Sequence, residues 1–399
     1  MNKLQNTNRL KNGYHFQKPL VRIFFRAMDI FGNIIIRPFL NKKLPTNSKP
    51  RRILLCKNDH LGDLVLFLSI LPEIRETFKN DELHLLVGSW SKELAEKNPY
   101  VNKVIYFDGF LLNRNKPFIK RLIICIKSTF SFLIHSLKTK YDIAIDFRAY
   151  FPNMIPILFF GNISHRTGFS TGGFGFLLNS STEWKENVSE VNHFLDLLNT
   201  FEKVKGEGNK NSLEYLADYD KTHKLLNYFH FDRSKKFILA HPFGGDKTKH
   251  LEDESWVKLI RYFKKLGLCV FLVGQAKTNP FLFLIDNQNI FDLINKTDIH
   301  SLSGLIKKAE LLVGMDSFPA QLSLGLNKKT IVFMTGIEND AVWYKKSDNL
   351  LMIRNTVTCS PCYKKTGCKE MKCMKINITE TLDKIGAFIT PPNIKTRLG

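Results

Sequence analysis

The stretch Arg52-Ile53-Leu54-Leu55-Cys56-Lys57-Asn58-Asp59-His60-Leu61-Gly62-Asp63-Leu64 changes character twice. Arg52 to Cys56 is an apolar run of strand length, Lys57 to Asp63 is a polar turn, and Leu64 to Phe78 reads as an apolar helix. Strand, loop and helix in that order open a parallel sheet, because a parallel neighbour is reached only through a long crossover that a helix supplies. The alternation continues with a strand over 82–87, a helix over 91–98 closed by Pro99, and strands over 103–107, 141–146 and 166–169. Polar residues between Lys203 and Lys221, with Lys205-Gly206-Glu207-Gly208-Asn209-Lys210 at their centre, interrupt it. It then restarts: a strand over 236–240, the loop His241-Pro242-Phe243-Gly244-Gly245-Asp246-Lys247, a helix over 255–266 and a strand over 269–273. A helix over 301–309, a strand over 310–314, a helix over 319–326 and a strand over 330–334 follow. The expected fold class is α/β, with two Rossmann-like units and a cleft between them, preceded by a basic helix. Ligands in such sheets sit at the carboxyl ends of the strands, where both glycine-containing loops emerge.

Composition bounds the function. Of 399 residues, 44% are hydrophobic and 24% charged, which excludes a chain disordered along its length. No run of about 18 uncharged apolar residues is present, so no standard transmembrane helix is expected. Cys56, Cys125 and Cys269 stand alone in apolar runs and read as core thiols of a reducing compartment. The N-terminus lacks a compact apolar segment followed by a small-residue cleavage site, so the expected location is cytoplasmic. The balance is strongly basic, with 59 Lys and Arg against 37 Asp and Glu. An anionic partner is expected, and nucleic acid is set aside because zinc-finger spacing, an aromatic RNP-type strand and a helix-turn-helix signal are all missing.

Twelve of the cations and one acid, Asp29, fall in the first 52 residues. From Phe16 to Leu40, Lys18, Arg22, Arg26, Asp29, Asn33 and Arg37 recur every three or four positions among apolar neighbours, the pattern of a helix with a narrow polar stripe. Two placements fit it: immersed in an anionic membrane surface with its Arg side chains on lipid phosphates, or docked on the protein's own body. Pro117 to Lys140, carrying Lys120, Arg121, Lys127 and Lys138, reads as a second basic-apolar helix, with the same two placements open and docking on the body preferred.

Several motifs occur in a fixed order: Arg52-Ile-Leu-Leu-Cys56 with Gly62-Asp63 and Leu71-Pro72; Asn98-Pro99-Tyr100-Val101; Tyr141-Asp142-Ile143-Ala144-Ile145-Asp146; His241-Pro242-Phe243-Gly244 with Lys247, Lys249 and Trp256; and Asp316-Ser317-Phe318-Pro319. From about Arg51 to Ile378 the chain resembles glycosyltransferase family 9, the ADP-heptose heptosyltransferases of lipopolysaccharide core synthesis. The resemblance implies a GT-B fold and an inverting transfer without a catalytic metal. It also implies a domain plan: a basic segment over 1–50, an acceptor domain over 51–225, a nucleotide-sugar domain over 226–378 and a tail or helix over 379–399.

Asp63 matches the family's general base. A carboxylate on a loop leading into a helix can take the proton of an attacking hydroxyl, although it can equally cap the helix beginning near Leu64. Asp59 is the alternative base, and Asp59, His60 and Gly62 make up the acceptor side. On the donor side the resemblance assigns Gly244, Lys247, Lys249, Asp316, Ser317, Phe318 and Pro319, with a lysine beside the diphosphate, Lys249 matching better, and a helix N-terminus at Pro319 suited to phosphate. The family pattern there is Asp-Ser/Thr-Gly-x-x-His, whereas this chain has Phe318 for the Gly and Gln321 for the His. That departure implies either a donor other than ADP-heptose or a diphosphate held differently.

Cys359, Cys362, Cys368 and Cys373 lie within 15 residues. Their spacing suits a structural Zn or Fe site, with reduced thiols and disulfides as the alternatives. The family also carries Cys-x-Pro-Cys and Cys-Met at matching places. The combined expectation is a glycosyltransferase at the inner face of the cytoplasmic membrane that moves a sugar from a nucleotide donor to an anionic glycolipid or glycan. The alternatives are a different nucleotide sugar with a capsule or protein acceptor, and a non-catalytic nucleotide- or glycan-binding relative. The motifs do not specify the acceptor, the linkage or the oligomeric state.

Overall fold

The computed structural model describes residues 13–16, 18–40, 50–112, 116–204, 212–244, 249–364, 368 and 370–389. Two compact units divide between Ser212 and Leu213.

In the N-terminal unit the strands are β1 (Arg52–Cys56), β2 (Glu82–Val87), β3 (Lys103–Tyr106), β4 (Ile143–Asp146), β5 (His165–Phe169) and β6 (Ser180–Thr182). All pair in parallel, in the order β3-β2-β1-β4-β5-β6. Ile53 to Cys56 are all buried, the unbroken apolar run required of a central parallel strand covered on both faces. The helices are α1 (Pro19–Ile35), α2 (Leu61–Leu68), α3 (Leu71–Thr77), α4 (Lys92–Ala95), α5 (Phe118–Thr139), α6 (Ile155–Phe160) and α7 (Glu190–Leu198). The single helix expected over 64–78 is two. Pro72, in the first turn of α3, has no N–H to carry a helical ladder through from α2. Helix α2 also begins three residues earlier than expected.

Helix α1 is docked on its own unit by a narrow strip: Phe25, Asp29 and Gly32 are buried. Gly32 is required there, since a Cβ would overlap the Phe176 ring. Asp29, one of the narrow polar stripe, is the anchor of this docking, accepting from Tyr14 Oη at 2.7 Å and from backbone N–H groups at residues 174–176. Helix α5 buries only Phe132 and Ser136 along its whole length, much less than a helix packed into the body would.

The C-terminal unit contains β7 (Phe237–His241), β8 (Cys269–Gly274), β9 (Ile290–Ile294), β10 (Leu312–Met315), β11 (Thr330–Phe333) and β12 (Leu350–Ile353), all parallel in the order β12-β11-β10-β7-β8-β9. Its helices are α8 (Tyr219–Tyr228), α9 (Asp253–Lys265), α10 (Ile299–Lys308), α11 (Phe318–Gly325), α12 (Asp340–Trp343) and α13 (Ile378–Ile389). One face of the sheet, through Ile238, Ala240, Val270 and Leu272, packs on Trp256, Leu259 and Phe263 of α9 and Ile385 of α13. Edge strands β6, β9 and β12 were not foreseen. Ser180-Ser181-Thr182 of β6 carries no apolar signal at all, whereas β9 (Ile-Phe-Asp-Leu-Ile) and β12 (Leu-Leu-Met-Ile) are short apolar runs of strand length.

Both sheets reverse their winding once, between β1 and β4 in one and between β7 and β10 in the other. At these points adjacent parallel strands send their following loops in opposite directions and open a crevice beyond their carboxyl ends. Register aligns Cys56 with Asp146 and His241 with Gly314. The loops 57–60 and 147–150 therefore start side by side, and so do the loops after His241 and Met315.

Candidate active site

At the β1/β4 crevice the two loops interlock through one carboxylate. Asp59 is fully buried and pairs with the Arg148 guanidinium and with Lys57 Nζ at 3.3 Å. Tyr150 Oη donates to it at 3.2 Å and the His60 N–H at 3.0 Å. The Arg148 guanidinium lies over the Tyr150 ring, 4.2 Å from its centroid, and Lys57 Nζ lies 4.7 Å from that of Phe194. Two buried cations hold the Asp59 carboxyl well below the usual carboxylate range despite its burial. Asp146, at the end of β4, accepts from the N–H groups of Met154 (2.6 Å) and Arg148 (3.2 Å), which shapes the turn that delivers Arg148.

Asp63 is the third residue of α2. The N-cap is His60, without a side-chain cap bond, so Asp63 lies inside the helix's first turn and does not cap it. The capping alternative therefore fails. Among the described residues no donor hydrogen-bonds its carboxyl. Burial, with ionised Asp59 and Glu190 nearby, pushes Asp63 up to about 7, against the pull of Lys57 and Arg148. One environment thus drives two neighbouring carboxylates in opposite directions. Asp59 is an anion held by its two cations, while Asp63 is pushed up to about 7, a value suited to proton transfer at neutral pH.

Lys57, Arg148, Tyr150 and Glu190 were not among the residues singled out from sequence. A usable signal existed: β4 ends in Asp146-Phe147-Arg148, and residues following the two strands at a winding reversal must meet. His15, in the segment before α1, also reaches this region, with its ring 4.6 Å from that of Trp184 and 6.1 Å from that of Tyr150. Trp184 Nε1 in turn donates to Glu190 at 3.0 Å.

At the β7/β10 crevice, Lys249 Nζ and Asp316 Oδ2 are 2.6 Å apart, and Tyr344 Oη donates to Asp316 Oδ1 at 2.8 Å. Both Asp316 oxygens are therefore engaged within the unit, and an incoming phosphate would compete for Lys249. Ser317 is the N-cap of α11, and Pro319 lies in the helix's first turn. The Ser317 hydroxyl donates to the Met315 carbonyl at 3.0 Å and lies 3.3 Å from His241 Nδ1, so α11 opens without a side-chain cap. Burial pushes His241 down to about 4, leaving a neutral imidazole at physiological pH. The ring packs against Gly274, whose φ of +133° only glycine adopts readily. Gly244 is similarly constrained, since a Cβ there would overlap the Lys249 carbonyl. Gln321, in the place of the family's His, is buried and donates from Nε2 to the Trp343 carbonyl at 3.2 Å, which holds the segment carrying Tyr344. The expected contact of Lys247 lies outside the described residues.

The four clustered cysteines are all described and all free thiols. Cys359 and Cys368 are exposed, Cys362 is half-buried, and Cys373 is in the core with Met374, Ile378 and Ile385. Among the described residues no group of three or more His, Cys, Asp or Glu side chains is arranged to hold a metal. Packing draws Cys373 inward, while Cys359 and Cys368 face solvent.

The model of glycosyltransferase family 9 (heptosyltransferase) matches residues 131–373. The chain is 24% identical over 349 residues to lipooligosaccharide heptosyltransferase 2 of Campylobacter jejuni, covering 83% of this chain and 97% of that protein. Among solved structures, the ADP-heptose LPS heptosyltransferase II of E. coli superposes with a TM-score of 0.63 at 17% identity, over 85% of this chain and 98% of that one. A family 9 glycosyl transferase from Veillonella parvula gives a TM-score of 0.67 at 13% identity, over 86% and 98%. Such likeness establishes the two-unit GT-B fold.

Proposed function

Because this chain belongs to glycosyltransferase family 9, and is accordingly a glycosyltransferase of the heptosyltransferase type, we propose that it transfers heptose from ADP-heptose, with inversion, to an anionic lipopolysaccharide-type acceptor. The observation that carries the chemistry is the split between the two carboxylates at the β1/β4 crevice. Asp63 removes the proton of the acceptor hydroxyl as its oxygen attacks the anomeric carbon, and the bond to the nucleoside diphosphate breaks on the opposite side of that carbon. Charge growing on the departing diphosphate is met by Lys249, freed from Asp316, and by the uncapped start of α11. Ser317 and the neutral His241 offer hydrogen bonds in the same crevice, and Asp316, relieved of Lys249, can accept from sugar hydroxyls.

On the acceptor side, where His60 and Gly62 open α2, a substrate bearing carboxylates or phosphates, as an inner-core glycolipid does, suits the strongly basic charge of the chain. The reading places the enzyme at the cytoplasmic face of the inner membrane, where such an acceptor is built. No described helix is long and apolar enough to cross a membrane. No step needs a metal ion. One observation favours a second donor: Phe318 and Gln321 replace a small residue and an ionisable one beside the proposed diphosphate site. A screen of nucleotide sugars for binding, followed by acceptor-dependent nucleotide release, tests both readings. ADP-heptose should be the preferred donor, and strong preference for another nucleotide sugar would move the activity within the family.

A further inference from the structure

Helices α1 and α5 leave large apolar side chains in water on the same unit, and we propose that together with the end of α6 they form one docking surface for an anionic lipid bilayer. Leu20, Ile34, Phe39, Ile119, Phe130 and Phe160 are between 63% and 86% exposed, whereas isolated exposed apolar residues of this size are scattered on an ordinary surface. Helix α6 joins the two helices. Its Ile155 and Phe159 share a cluster with Met28 and Ile36 around α1, while its Leu158 and Ile157 share another with Phe132 of α5. Ser136 of α5 donates to the Gly161 carbonyl at 2.8 Å, and Phe160 stands exposed beside that junction.

Charge selects the occupant. Lys18, Arg22, Arg26, Lys120, Lys127 and Lys138 are interleaved with the apolar residues, Asp29 of α1 is buried, and no acid occurs between Lys116 and Lys140. A second copy of this chain would bring the same cations to a two-fold interface and be repelled. A bilayer with anionic headgroups supplies the complementary charge and accepts the Phe, Leu and Ile side chains among its acyl chains. Neither helix is long and apolar enough to cross, so both lie along the surface. The sequence pattern raised a membrane placement for α1 and, with docking on the body preferred, for α5; their joining through α6, and the place of Phe160, come only from the fold. The inference does not depend on the transfer chemistry, since vesicle binding is read without any substrate.

The test sediments the full chain with vesicles of phosphatidylcholine alone or mixed with phosphatidylglycerol, at low and high salt. An α5 variant, Ile119→Glu with Phe130→Glu, is compared with an α1 variant, Phe31→Glu; far-UV circular dichroism and thermal melting establish that each is folded. The intact chain is expected to prefer the anionic vesicles by at least about tenfold, to lose that preference in high salt, and to bind at least about tenfold more weakly with either variant. Undiminished binding by the folded α5 variant overturns the two-helix surface. So does equal binding to both lipid compositions, or a concentration-dependent dimer that the α5 substitutions abolish.

Discussion

Asp59 and Asp63, a helical turn apart, illustrate how position decides the chemistry of a residue. Asp59 is locked by Arg148 and Lys57, while for Asp63 desolvation and the charges of Asp59 and Glu190 outweigh the pull of the same two cations. Because the folded protein holds the Asp63 proton up to about pH 7 and the unfolded chain loses it near 4, stability is drawn down as pH rises between those values and the penalty is complete above 7. Asp63→Asn has no such penalty. Its melting temperature should match wild type near pH 4 and exceed it increasingly up to pH 7, at about 2–4 °C for each kcal/mol relieved. Differential scanning calorimetry across that range checks it, and a constant offset would contradict the shift. Arg148 attracts the Asp63 anion, so Arg148→Gln should move the rising limb of the pH–rate profile to higher pH. Removing one partner of a buried pair should also cost about 3–5 kcal/mol of stability, read by urea unfolding. A limb that stays in place would separate Arg148 from the base.

At the scale of elements, the site is a product of loops held by strand ends. The loop from β7 closes on itself at Gly244, where a side chain has no room beside Lys249. Gly244→Ala should open that loop, displace Lys249 from Asp316 and weaken ADP binding about tenfold, or ~1.4 kcal/mol by calorimetry, while leaving the Asp63 limb of the pH profile unmoved. The cysteine segment makes a similar distinction. Cys373→Ser places a hydroxyl in the core and should cost about 1–2 kcal/mol, whereas exposed Cys359→Ser should stay within about 0.5 kcal/mol in denaturant titration. Equal losses for the two would point to a shared ligand role that the packing does not display. Central strands were legible because parallel burial writes an unbroken apolar run, as in Ile53–Cys56 and Phe237–Ala240. Strand β6 and the α2–α3 break were not, since Ser180–Thr182 has no apolar run and the break depends on one proline inside an otherwise continuous apolar segment. Strands β9 and β12 carry short apolar runs that the expected alternation did not extend far enough to include.

For the molecule as a whole, two sheets of matching order each present a winding reversal, and each reversal collects a charged cluster. Asp63, Lys249 and Asp316 were legible as motifs, but Arg148 lies 89 positions from Asp59 and Tyr344 lies 28 from Asp316, partnerships that only strand order creates. The same holds for the basic surface, where charge was evident along the chain and the joining of α1 to α5 through α6 was not. The central claim is that Asp63 is the general base of a glycosyl transfer. The direct measurement is acceptor-dependent release of ADP from ADP-heptose between pH 5 and pH 9, for the intact chain and for Asp63→Asn, with an inner-core glycolipid acceptor. The account predicts that kcat/KM of the intact chain rises with pH and levels off above about 7. It also predicts that the variant binds ADP normally but turns over at least about 100-fold more slowly, with that limb gone. A variant that keeps both the rate and the limb would contradict it.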